Sequence, residues 1–359
     1  MFEALKATLH KYKKWEPLAF FIAGFSFDAF LLHRIDDPLM LIHQATYLTL
    51  SALIIAWDLF CEEKATQIPS WFLKIWAYRE GILHFMLGTL LNVYTIFYFK
   101  SGSFVSSLYF LALLALLLFL NEVRPAQISK NFLRNALFGL CLISYMNILL
   151  PILAKTMGLL IFLLSIAVAY AIHHFFLRFL KSRIKNRSLF KDVQLPFIFV
   201  ITLYSLLYFF KVLPPVPLSM KNIGIYHSIK KEGNQYKLGI TRSKWLFWQS
   251  GDQNFEARPG DRINCFVQIF SPTRFQDQLT VRWFFKNPKL GWEPRDAVPL
   301  SIIGGREDGY RGFIAKANYE AGDWRVSVET TDGREVGRIH FEVTQSSDTQ
   351  PAEVRYEYR

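Results

Sequence analysis

The chain has 359 residues, 52% of them hydrophobic and only 19% charged, with a mean hydropathy of +0.19, which is too apolar for a water-soluble protein of this length. Its net charge of +12 is uneven: 20 Lys and Arg face 11 Asp and Glu before Lys221, against 21 and 18 from there on. Basic excess placed in the loops of an apolar half is a topology signal, and it argues against nucleic-acid binding.

Lys6, Lys11, Lys13 and Lys14 precede the first apolar stretch, as in a signal peptide. No small-residue cleavage site follows, and Asp28 interrupts the run, so we read an uncleaved first span. About 20 apolar residues cover about 30 Å of hydrocarbon. Seven segments qualify, at roughly 17–33, 39–60, 81–98, 103–121, 132–153, 156–180 and 194–212.

Alternate loops differ sharply in basic residues. Lys64, Lys74, Arg79, Arg124, Lys130, Arg134 and the run Arg178–Lys191 join the N-terminal lysines on one side. The other side holds only Arg34, Lys100, Lys155 and Lys211. The positive-inside rule then predicts a cytoplasmic N-terminus and a C-terminal domain outside. Ile68–Arg79 places Trp71, Phe72, Ile75 and Trp76 on one helical face, which suits an interfacial helix. A plain aromatic-belt loop is the alternative.

Pro214, Pro215 and Pro217 end the last span and predict an extended spacer. From Asn222 the apolar period becomes two. Short strands are predicted at Ile223–Ile229, Tyr236–Thr241, Arg262–Phe270, Leu279–Phe285, Ala297–Ile303, Gly309–Ala315, Trp324–Thr330 and Glu335–Val343. Arg258-Pro-Gly-Asp and Thr331-Asp-Gly-Arg mark turns, the second a hairpin. The predicted architecture is an all-α transmembrane bundle of about seven helices (1–213), a Pro-rich linker (214–221), an all-β, immunoglobulin-like sandwich (222–345) and a disordered tail (346–359).

Over roughly 225–345 the chain resembles a bacterial β-sandwich domain family of unknown function. The motifs are Leu279-Thr-Val-Arg-Trp283, Val298-Pro-Leu-Ser-Ile-Ile-Gly-Gly305, Gly309-Tyr-Arg311, Ala321-Gly-Asp-Trp-Arg-Val326, Asp332-Gly333 and His340-Phe-Glu-Val343. The multi-span half is similar to the membrane region that precedes this domain in some Gram-negative proteins. The resemblance implies a bacterial inner-membrane protein with a periplasmic domain, and it implies no activity.

Polar groups inside a membrane are costly and therefore suspect. Asp28, His43, Asn92 and Asn147 are candidates for one outward-facing polar site. Alternatively, Asp28 pairs with His33, Arg34 or His43 and locks two spans together. His84 and His173-His174 sit at similar depth, where a b-type haem or simple interfacial packing is possible. Asp58, Glu62 and Glu63 read as a solvated helix end rather than a metal site. Cys61, Cys141 and Cys265 have neither disulfide-framework nor metal spacing.

Gly304–Gly312 lacks the Gly-Lys-Ser/Thr of a phosphate loop and leads into a strand. No His-Glu-x-x-His, Gly-x-Ser-x-Gly or CxxC occurs, so no cofactor is expected. Trp283 and Trp324 alternate as core residues. Trp245, Trp248 and Trp292 are placed near turns and are candidates for a ligand or partner surface, with contact of Trp245-Leu-Phe-Trp248 with the membrane as another option. The leading expectation is a non-enzymatic envelope protein whose partners are the lipid bilayer and a periplasmic protein or ligand. A transporter or channel with an accessory domain is the alternative; a membrane enzyme has no motif in support.

Overall fold

The computed structural model describes residues 34–63, 76, 78–102, 112, 130–184, 188–273, 275–303, 309–346 and 354–359. Five helices come first: α1 (Pro38–Glu63), α2 (Arg79–Lys100), α3 (Lys130–Ala154), α4 (Leu159–Arg183) and α5 (Leu195–Phe209). A single wide turn, Phe190–Gln194, leads into α5. All five segments are long and apolar enough to cross a membrane. Among the described residues there are five such helices, and the expected count of seven is not supported. The segments at 17–33 and 103–121, most of Ile68–Arg79 and the centre of the Gly304–Gly312 turn lie outside the described residues.

α3 is the central helix, 78% buried along its apolar stretch, whereas the α4 stretch is 22% buried. The outward faces stay apolar: Leu160, Phe175 and Phe179 of α4 are all exposed. Exposed apolar side chains of this kind are consistent with a membrane location. Inside, Asn147 of α3 donates to the Tyr98 hydroxyl of α2 at 3.3 Å, and Tyr98 in turn shares a hydrogen bond with Tyr204 of α5.

Asp58 corrects the reading of a solvated acidic helix end. Its side chain is 3% exposed and is paired with both Arg79 of α2 and Arg134 of α3. The helices pack so that this one carboxylate lies between two guanidinium groups.

Among the described residues the β region has eleven strands. β1 (Ser219–Tyr226), β5 (Ile263–Phe270) and β8 (Tyr310–Lys316) form one sheet. β4 (Asn254–Ala257), β10 (Glu335–Gln345), β9 (Gly322–Thr330), β6 (Gln276–Asn287) and β7 (Gly291–Ile303) form a second, in that order. These two sheets face each other across one core, to which the first contributes Ile225, Cys265 and Val267 and the second Phe255, Val281, Trp283 and Trp324. Trp283 and Trp324 are therefore core residues, as their alternation predicts. β9 and β10 form the predicted hairpin, with Gly333 at φ +77° in its turn.

Three sequence expectations change. Ile223–Ile229 breaks at His227 into β1 and β2 (Ser228–Glu232), and β2 leaves to pair with β3 (Gln235–Ile240) in a third sheet. The tail, expected to be disordered, supplies a strand: β11 (Arg355–Tyr358) pairs antiparallel with β3. The lysine of β3, Lys237, lies 4.4 Å from the Tyr356 ring centroid, so a short polar segment finds a ready edge. The proline segment, expected as an extended spacer, is also buried, since Leu213, Val216 and Leu218 are each at most 2% exposed. It packs into the helical core at one end and the sandwich core at the other.

The sandwich is tied to one end of the bundle. The Tyr208 hydroxyl at the end of α5 donates to Asp332 at 3.0 Å. Asp332 is bridged by Arg334 at 2.9 Å, whose guanidinium stacks over the Tyr208 ring at 4.6 Å. Before α1, Asp36 accepts from Arg34 at 2.9 Å and from the Thr273 backbone N–H at 3.1 Å. Gln276 N–H donates to the Lys155 carbonyl in the α3–α4 turn.

Burial acts to raise the Asp332 and Asp36 carboxyls, but Arg334 and Arg34, with the hydrogen bonds around them, outweigh it and hold both below the ordinary value of 3.8. A depressed folded-state value means the stabilisation is complete above about 4 and is lost as pH falls through the lower, folded-state values. Cleavage by an acid-active protease at the bundle–sandwich joint should therefore rise only below about pH 4, and Asp332→Asn should remove part of that pH dependence.

Candidate functional site

β1 carries the chain away from the bundle. Ser219 lies beside the helix ends, and Tyr226, seven steps on, is about 23 Å farther along the strand. The end distal to the bundle is built from His227, the β3–β4 connection and the end of β4. Asp252 organises it. Its buried carboxylate accepts the backbone N–H groups of Thr241 at 3.0 Å and Arg242 at 2.8 Å, which closes the loop from 241 to 252. The loop's last turn presses directly on β1: a Cβ on Gly251 (φ +71°) would fall 2.0 Å from the Ile225 carbonyl oxygen.

His227 stacks on Phe255 with ring centroids 4.1 Å apart. Asp252 and Asp261 stand 3.7 and 3.6 Å from its two ring nitrogens. Burial lowers its basicity despite these carboxylates. Above the ring opens a cleft of about 540 Å³, lined by Thr241, Arg242, Lys244, Trp245, Arg258 and Arg355 among others. Four cations face it against the single carboxylate of Glu256. Arg242 is anchored on Glu357 of β11 at 2.8 Å and donates to the Leu246 carbonyl, which holds the aromatic turn in place.

That turn exposes Trp245 at 83%, Phe247 at 80% and Trp248 at 67%. Three large aromatics standing in water beside a cationic cleft form an exposed patch of the kind used for binding. Their position at the distal end argues against contact with the membrane.

Trp292 does not join them. It lies just past the β6–β7 turn, opposite Lys286, and its ring packs with Arg325 at 5.0 Å and His340 at 5.4 Å. In the bundle, His43 is exposed on α1, its ring tilted against Tyr47 with centroids 4.1 Å apart. Asn92 is half-buried in α2, and Asn147 is engaged with Tyr98. Asp28 lies outside the described residues. His173 packs flat on Phe197 at 3.8 Å as a core ring. No group of three metal-ligating side chains occurs among the described residues.

Sequence reasoning missed Arg242, Arg258 and Arg355 as a group. Arg258 sits in a recognisable turn and Arg355 in the tail, and nothing in their spacing announces a shared cleft.

Residues 276–343 match the family model described as a protein of unknown function, DUF2914. No curated protein matches the chain. Among solved structures, the chain is similar to an immunoglobulin-like protein from Pseudomonas aeruginosa, with 13% identity over 36% of this chain and 98% of that one, at a TM-score of 0.22. It is also similar to a β-glucosidase from Listeria innocua in complex with glucose, with 14% identity over 25% of this chain, at a TM-score of 0.20. The chain spans only 15% of that enzyme's length. What establishes the sandwich is its own strand pairing and shared core, and residues 276–343 carry the likeness to the uncharacterised family.

Proposed function

We propose that this chain is an envelope protein of the bacterial inner membrane whose helical bundle anchors a periplasmic binding module. The module's distal cleft takes an anionic partner or ligand that also presents an apolar or planar face. One observation carries this reading: Trp245, Phe247 and Trp248 are exposed next to four cations, on the end of the sandwich farthest from the bundle. The orientation is supported by loop charge. Arg79, Lys130, Arg134, Lys181 and Arg183 belong to the helix ends opposite the sandwich, where the positive-inside rule puts the cytoplasm.

Intact protein purified with its bound partners tests the binding function. Trp245→Ala with Trp248→Ala should leave stability within about 0.5 kcal/mol, as for exposed positions, and weaken partner capture by about 30-fold or more, as for aromatic anchors. An unchanged set of captured partners would overturn the reading. The orientation has its own test: phosphatase fused after Arg359 should be active in bacterial cells, and a stable but inactive fusion would reverse the topology.

A further inference from the structure

The motifs that resemble the uncharacterised family have two faces. Trp283, Val326 and Phe341 belong to the sandwich core. The residues beside them, Arg282, Arg325 and His340, face outward from the five-stranded sheet, because side chains alternate along a strand. Register brings them together: Arg325 of β9 lies opposite Phe284 of β6 and opposite His340 of β10. These positions all fall within residues 276–343, and none of them lines the distal cleft.

Arg325 stands out on this face. Arg282 is bridged to Glu329 at 2.9 Å, Arg338 to Glu335 at 2.6 Å and Lys286 to Asp323 at 3.0 Å. Among the described residues Arg325 donates no hydrogen bond and forms no ion pair; Glu335 and Glu329 act on it only from a distance. Instead its guanidinium carbon lies 4.3 Å from the Phe284 ring centroid and 5.0 Å from that of Trp292. Its Nε is buried, and its terminal nitrogens reach solvent. Two rings thus hold a planar donor fork at the surface, which leaves little side-chain freedom to lose when an acceptor arrives.

We propose that Arg325 and Trp292 form a second binding site on the sandwich, which takes a carboxylate from an acidic segment of a protein partner. The guanidinium fork matches the two oxygens of a carboxylate. Glu329 and Glu335 in the neighbouring row disfavour a dianion such as phosphate. A lone exposed ion pair is weak, so a free carboxylate would not stay, whereas a peptide laid across the strands adds further contacts. Arg and Trp are also the residue types that most often anchor protein interfaces. The site stands apart from the distal cleft, so either can fail without the other.

Full-length protein labelled with 5-fluorotryptophan is solubilised in detergent, and its nine tryptophans are followed by fluorine NMR, with Trp292→Phe assigning the reporter. Hexaglutamate is titrated in. Hexaglutamine, sodium acetate at matched carboxylate concentration and inorganic phosphate are the comparisons. The Trp292 signal should move saturably with hexaglutamate and far less with the other three. Trp283 and Trp324, both in the core, report in the same spectra that the fold is intact.

Arg325→Gln should weaken hexaglutamate binding about tenfold, the worth of hydrogen bonds between charged groups. Arg325→Lys keeps the charge but loses the planar fork, and should remain about fivefold weaker than the wild type. A Trp292 signal that ignores hexaglutamate in the wild type overturns the proposal, whether or not the variants fold. Equal movement with acetate or phosphate overturns the choice of an acidic peptide. Wild-type binding by Arg325→Gln or Arg325→Lys overturns the role of the guanidinium. Movement of the Trp245 and Trp248 signals alone would put the peptide in the distal cleft, which overturns this site and leaves the proposed function standing.

Discussion

Asp58→Ala should destabilise the helical bundle by about 3–5 kcal/mol, the cost of removing one partner from a buried ion cluster. The carboxylate joins three helices, through Arg79 of α2 and Arg134 of α3 to its own place in α1. Its loss leaves Arg134, 8% exposed, as a charge in a low-dielectric site without a counter-ion. The measurement is thermal unfolding of the detergent-solubilised protein, followed by the folded fraction on size exclusion. Asp58→Leu combined with Arg134→Leu should cost clearly less than the two single changes added together. Additive costs, or a loss below about 1 kcal/mol for Asp58→Ala, would show that the triad does not hold the helices together.

A comparable loss is expected in the sandwich. Trp324→Ala or Trp283→Ala should cost about 3–5 kcal/mol, the range for emptying a buried aromatic site. Both side chains are at most 2% exposed. Trp283 meets Phe341 edge to face at 6.3 Å, and Trp324 lies 5.1 Å from Phe285. The Trp324 indole N–H also donates to the Glu320 carbonyl at 2.8 Å, so its removal loses that bond as well as opening a cavity.

The sandwich core is separate from the helical core, so a fragment from Leu218 to Arg359 should fold alone. Its cooperative melt should be indifferent to reductant, because Cys265 is a free, buried thiol. The fragment must keep its C-terminal strand: ending it at Gln345 should lower the midpoint, since β11 covers the edge of β3. Equal midpoints for the two fragments would show that β11 adds nothing to the domain's stability.

Much of the architecture was legible because its signals are local. An apolar run the length of a bilayer, or a period of two between turn residues, states how a segment can bury its own surface without reference to the rest of the chain. Trp283 and Trp324 were assigned to the core on that ground. β4 escaped because four residues, Asn254–Ala257, are too few to show a period. The β1–β2 break at His227 escaped because the apolar pattern runs on across it while the backbone changes sheets.

The candidate sites divide along the same line. Trp245 and Trp248 could be singled out because unburied tryptophans near turns are conspicuous in any sequence. The cations that make their turn a cleft could not, because Arg242 and its anchor Glu357 are 115 positions apart. Asp58 looked like a solvated helix end because its partner Arg134 is 76 positions away, and only helix packing brings them together.

By itself the sequence determined that an apolar helical region precedes a β region, and that Trp283 and Trp324 belong to the second core. Each of these follows from side-chain transfer energies summed over a short window. The tertiary structure alone decided that Asp58 is buried between two arginines, that the tail supplies a strand and that the aromatic turn shares its cleft with four cations. Those outcomes depend on which surfaces come to lie within hydrogen-bonding distance, where pairing energies of a few kcal/mol are set by geometry that no short stretch of the chain contains.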